Sequence, residues 1–185
     1  MNGRSVQRRL FLGISLPPPM VSELETFSRR LTSYAGIRLI PGENLHITVY
    51  FFGSVPEEQL ENLISLISLG LKTTQSFELV FDRYCFAPQS TQPRMIWARF
   101  RKSDVFRDLV GQIHALYQQI SPLQQRKSPV PHITLARLKD FSDTSELNLA
   151  RQKLPALRVN ELVLWESVLR PEGAYYTAIR RFSLG

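Results

Sequence analysis

The chain has 185 residues, 43% of them hydrophobic, which is enough for one ordinary domain with a real core and too apolar for a disordered chain. Its single cysteine, Cys85, excludes an internal disulfide framework and a cysteine-rich zinc site, so a reducing compartment, the cytoplasm, is the expected home. Lys and Arg number 23 against 16 Asp and Glu; the formal charge of +7 favours polyanionic partners such as nucleic acid, although the basic residues are scattered.

The first apolar run, in QRRLFLGISLPPPM, follows basic residues as a secretory signal would, but it is short and ends at prolines without a small-residue cleavage site. It reads as a strand over residues 8–15. No segment approaches the roughly 18 apolar residues of a membrane span, so no membrane partner is expected. In residues 17–34, Met20, Val21, Leu24, Phe27 and Leu31 recur at helical spacing behind prolines that a first turn tolerates, which predicts a helix. Residues 45–52 alternate as a strand, and Ser54, Pro56 and two glutamates then read as the start of a second helix running to about Lys72.

SFELVFDRYCF and RMIWARF read as strands joined by the polar, proline-rich APQSTQP. A third helix is predicted from Ser103 or Asp104 to a point before Pro122. SPVPHITLARL follows as a strand and SDTSELNLARQKL, residues 142–154, as a short helix. Two final strands, in LRVNELVLWESVL and AYYTAIRRFSL, are joined through RPEG as a hairpin. The order gives two similar passages, each a helix followed by a strand bearing His-Ile-Thr, with no linker between them. The expected architecture is a single α+β domain over residues 1–185 with two pseudo-equivalent lobes.

The two His-Ile-Thr strands use two of only three histidines. Side chains alternate along a strand, so His46, Thr48 and Tyr50 are expected on one face and Leu45, Ile47, Val49 and Phe51 on the other, in the core. By the same rule His132 and Thr134 lie opposite Ile133 and Leu135. A single His-x-Thr has little specificity; two copies in matching register can place two imidazoles and two hydroxyls around one ligand. That set suits displacement at a phosphodiester, one neutral histidine taking a proton and a second, protonated, giving one. The threonines would donate to non-bridging phosphate oxygens.

His114, on the third helix without a matching threonine, reads as structural or surface, and Cys85 as a buried small residue rather than a nucleophile. His46 and His132 have no obvious third and fourth ligands, so no metal is expected, and without a phosphate-cradling glycine loop no nucleotide cofactor is expected either.

With RLFLGISLP, NLHITVYFFG, PRMIWA, PHITLAR and LWESVLRPEGAYYTAIRRFSL in view, nearly the whole chain resembles the two-histidine phosphoesterase superfamily, most closely its RNA 2′,3′-cyclic phosphodiesterases, also called 2′-5′ RNA ligases. The resemblance implies a bilobal α+β fold, antiparallel sheet with outer helices around a central cleft. It also implies hydrolysis of RNA 2′,3′-cyclic phosphate ends to 2′-phosphates without a cofactor or metal, tRNA fragments being among the candidate substrates, and in some members joining of 2′-5′ linkages. It implies His46 as proton donor, His132 as proton acceptor, and Thr48, Thr134 and Arg137 as phosphate-binding residues. A monomer is expected.

Strand parity places Arg137 toward the core, against that role; a strand end or a bulge at Ala136 would reconcile the two. The first motif reads TVYFFG where TLxFLG is frequent in the family, an apolar-for-apolar change that bears on packing. Two other readings stay open: a module that binds RNA or nucleotides without cleaving them, and the same chemistry on a small cyclic phosphate or a 2′-5′ oligonucleotide.

Overall fold

The computed structural model describes residues 5–34, 36–89, 92–121, 130–139, 147, 149, 153–171 and 173–185. Strand β1 (Gln7–Ser15) leads into helix α1 (Pro18–Arg29), whose N-terminus is held by the Pro17 carbonyl accepting from the Met20 and Val21 amides. Prolines at its first positions lack only N–H groups that would have no helical partner. Beyond Arg29 the chain continues as turns, so the predicted helix is shorter than its apolar spacing suggests. A short strand that sequence reading missed, β2 (Ile37–Leu39), precedes a 3-10 turn at Gly42–Asn44. Strand β3 (His46–Pro56) then runs four residues past its predicted end.

That extension removes Ser54 from its predicted capping role. Ser54 pairs with Arg9 inside β3, a second 3-10 turn occupies Glu57–Gln59, and helix α2 starts only at Leu60 and ends at Leu71. Gly53, with φ of 77°, lies at an irregularity in the β1–β3 ladder, where a left-handed residue lets one strand carry an extra residue and continue. The predicted strand over residues 76–86 is two strands, β4 (Phe77–Leu79) and β5 (Phe81–Ala87), followed by β6 (Met95–Phe100). Helix α3 (Asp104–Tyr117) begins as expected, the Ser103 hydroxyl accepting from the Phe106 amide.

The second motif opens β7 (His132–Leu138). The short helix predicted over 142–154 lies largely outside the described residues. β8 (Leu157–Val159) and β9 (Glu161–Arg170) divide the next predicted strand, and β9 forms the expected hairpin with β10 (Gly173–Ser183).

Among the described residues, eight strands make one antiparallel sheet in the order β10-β9-β1-β3-β7-β6-β5, with β2 on β7; β4 and β8 form a separate ribbon. The two motif strands meet at its centre through one registered pair, Ile47 opposite Ile133, both fully buried. Leu10, Leu12, Ile14 and Leu135 join them in the core. α3 packs against β3, α2 against β10 and α1 against β7, with Phe27 of α1 stacked on Tyr84 of β5 at 3.8 Å. The antiparallel α+β class is therefore as the sequence predicts.

The parity rule fails at Tyr50. Gly13 pairs with Thr48 and Leu12 with Tyr50, so Val49 is an extra residue that reverses the alternation. Tyr50 turns inward, is only 6% exposed, and its hydroxyl lies 2.9 Å from Nδ1 of His114 on α3. Phe51 is exposed instead. His114 thus has the structural role expected of it, while Cys85 is only half-buried. Tyr50→Phe, which keeps the ring and loses this hydrogen bond, should destabilise the fold by about 1 kcal/mol, read as a lower urea midpoint at unchanged slope.

Candidate active site

His46 begins β3 directly after the 3-10 turn, and that turn fixes its ring. The Nδ1–H donates to the Asn44 carbonyl at 2.7 Å, while the Asn44 side-chain amide is tied to the Ala174 carbonyl at 2.9 Å. Nε2 therefore faces outward and meets the Thr48 hydroxyl at 3.2 Å. His132 repeats the arrangement, its Nδ1–H donating to the Val130 carbonyl at 2.8 Å. A carbonyl only accepts, so each ring keeps its proton on Nδ1 and presents Nε2 for chemistry.

With Ile47 opposite Ile133 in an antiparallel pair, the register carries His46 toward Thr134 and Thr48 toward His132. The four residues share the face away from Ile47 and Ile133. Aromatic side chains close around them. Phe11, Tyr176 and Trp165 lie 4.9, 5.2 and 5.8 Å from the His46 ring, and Trp97 stacks on His132 at 3.7 Å. A cavity of about 370 Å³ opens beside His46, between Ser15, Ser22, Glu43, Trp165 and Tyr176.

Arg137 reaches this face through an irregularity one residue earlier than Ala136. Trp97 pairs with Thr134 and Ile96 with Ala136, which leaves Leu135 as the extra residue. Ala136 consequently packs in the core, and Arg137, opposite Met95, returns to the side of His132 and Thr134. Its charge is felt at the Tyr176 hydroxyl, whose pKa burial raises and Arg137 and Arg9 pull back.

Burial holds the His46 imidazole below its ordinary value of 6.5, the Asn44 carbonyl opposes this, and the nearby His132 adds to the lowering. Burial lowers His132 as well, with the Val130 carbonyl opposing. Both rings therefore stay neutral in the folded protein at pH values where the unfolded chain is protonated. The unfolded state binds more protons just below pH 6.5, so this contribution to stability is intact above 6.5 and is lost as pH falls toward the lowered folded values. Urea midpoints measured from pH 7 to 5 should fall more steeply for the native chain than for a His46→Gln, His132→Gln double variant.

His46, Thr48, His132, Thr134 and Arg137 thus lie on one face of β3 and β7, while Tyr50, expected with them, does not. Sequence reading missed Phe11, Trp97, Trp165, Tyr176 and Asn44. An aromatic residue inside an apolar strand carries no mark of which face it takes. The carbonyl locks had a signal, the same residue offset before each motif, but no side-chain identity to announce it.

The model of the 2′-5′ RNA ligase superfamily matches residues 17–169. The chain belongs to that superfamily. The chain is similar to an RNA 2′,3′-cyclic phosphodiesterase of Methanocaldococcus jannaschii, 29% identical over 94% of this chain and 99% of its own length. Another is an RNA 2′,3′-cyclic phosphodiesterase of Escherichia coli, 27% identical over 97% of this chain and 98% of its own. The crystal structure of TT0787 of Thermus thermophilus is similar at a TM-score of 0.84 and 26% identity, covering 95% of this chain and 97% of that one. E. coli LigT complexed with 3′-AMP shares the fold at a TM-score of 0.80 and 23% identity, over 97% of this chain and 99% of that one. Among the described residues of this superfamily member, no helix is long and apolar enough to cross a membrane.

Proposed function

We propose that the chain hydrolyses RNA 2′,3′-cyclic phosphate ends to 2′-phosphomonoesters without metal. The twinned histidine geometry carries the reading: two imidazoles locked alike, each exposing Nε2 on one face, with a threonine beside each. Neutral His132 takes a proton from water as its oxygen attacks phosphorus. The bond from phosphorus to the 3′-oxygen breaks, and protonated His46 gives that oxygen its proton. The order of the two histidines follows the family resemblance. Thr48 and Thr134 donate to the non-bridging oxygens, and the Arg137 guanidinium offers the phosphate a paired, charge-assisted contact.

We read the chain as one two-lobed domain over residues 1–185, β10-β9-β1-β3 on one side of the Ile47–Ile133 pair and β7-β6-β5 on the other, with the site in the cleft between them. The net charge of +7 and relatives named for RNA cyclic phosphates support an RNA end as substrate.

The test is incubation of the purified protein, in chelator, with an oligoribonucleotide ending in a 2′,3′-cyclic phosphate. A mass gain of one water and a 2′-phosphate end are expected. A 3′-phosphate product would overturn the choice of leaving oxygen. RNA bound in a salt-sensitive manner but recovered unchanged would select the non-catalytic binding module.

A further inference from the structure

The face that carries His46 and Thr48 continues past them. The extra residue at Val49 turns Phe51 onto that side, where it pairs in register with Phe11, the residue packed on His46. Residues directly opposite in an antiparallel pair point the same way, so Phe51 extends the aromatic lining of the site. Phe51 is nevertheless 45% exposed, although β3 is an interior strand of the sheet. Arg9, two residues before Phe11 on the same face of β1, lays its guanidinium over the Phe51 ring, 4.7 Å from the centroid. The charge of Arg9 also reaches the Tyr176 hydroxyl, on the ring that stands edge-on to His46.

A half-exposed ring with a guanidinium stacked over it is a cationic, planar surface on which a nucleobase stacks in sequence-tolerant fashion. Its place along the strand fits a second nucleotide. Three residues of strand, about 10 Å, separate Thr48 from Phe51, room for one sugar-phosphate step. The cavity bounded by Ser15, Trp165 and Tyr176 lies at the opposite, His46 end of the motif. Two ends of one face are thus available to two parts of one strand.

We propose that Arg9 and Phe51 form a stacking platform for the nucleotide on the 5′ side of the one that bears the cyclic phosphate, so that the site takes RNA strands in preference to mononucleotides. This rests on the phosphodiesterase reading above and narrows its substrate. The platform adds binding energy without touching the reacting atoms, and its loss raises KM rather than lowering kcat.

The experiment compares kcat/KM on a nucleoside 2′,3′-cyclic phosphate and on a trinucleotide ending in the same group, for the native chain, Phe51→Ala, Phe51→Trp and Arg9→Ala. The native chain should favour the trinucleotide by about 5- to 100-fold, the range one base-aromatic stack supplies. Phe51→Ala should bring that ratio close to one through KM, Phe51→Trp should keep it, and Arg9→Ala should reduce it. A native ratio near one, or a Phe51→Ala variant that slows both substrates alike, overturns the platform. If neither substrate turns over, the activity reading fails and the platform is judged by anisotropy with the same trinucleotide. There Phe51→Ala must weaken binding at least about fivefold, and unchanged affinity overturns the proposal.

Discussion

Replacing His46 or His132 by alanine should lower kcat for opening a 2′,3′-cyclic phosphate by about 100- to 10,000-fold, the range that one positioned acid or base supplies. The double variant should be little worse than the poorer single one, because the two groups serve one proton traffic and their losses do not add. Both rings are partly buried, so each variant needs a far-UV spectrum and a urea midpoint near the native ones before its rate is read. A second observable separates chemistry from packing. His132 is one of the causes that hold His46 low, so in His132→Ala the His46 resonances should titrate at a higher pH than in the native chain. Single variants with kcat within threefold of native would rule out the paired acid-base assignment.

Gly13→Ala should be nearly as damaging without removing any polar group. Gly13 lies on β1 opposite Thr48, and a methyl group there would come within 2.7 Å of the Ile47 carbonyl oxygen and 2.9 Å of the Trp165 ring. The Trp165 ring can tilt, but the Ile47 carbonyl belongs to the backbone between His46 and Thr48. Relief therefore means moving the first motif away from β1. Overpacking of this kind costs about 1–3 kcal/mol, and a displacement of the motif on the order of 1 Å can cost on the order of 100-fold in rate. Adding Trp165→Leu should restore part of the stability and little of the rate, since it removes the collision with the ring and leaves the one with the carbonyl. Native denaturation midpoint and turnover in Gly13→Ala would show that β1 yields freely at this point.

Much of the fold was legible in the sequence because helix spacing and strand alternation are local. The starts of α1 and α3, the two motif strands and the closing hairpin all follow from neighbouring residues. What was not legible depends on partners distant in the chain. The irregularity at Val49 that buries Tyr50 and exposes Phe51 exists only in the pairing of β3 with β1. The one at Leu135 that brings Arg137 to the site exists only in the pairing of β7 with β6. Parity holds along an unbroken ladder, so it placed His46, Thr48, His132 and Thr134 correctly and failed beyond the first extra residue on each strand. Ser54 misled for a related reason: a serine before proline and two glutamates reads as a cap unless the strand is known to continue through it.

The locks on the two histidines have a thermodynamic consequence. Each ring leans on a neutral carbonyl, from Asn44 or Val130, rather than on a carboxylate. Nothing in that arrangement supplies a counter-ion for an imidazolium, and burial works against one. A bound phosphate brings the negative charge that makes a protonated donor favourable. An anion settling between the rings raises the affinity of the site for a proton, and a proton raises its affinity for the anion by the same factor. In such a site substrate and proton are co-ligands, and the donor is charged most fully when there is a phosphate for it to serve.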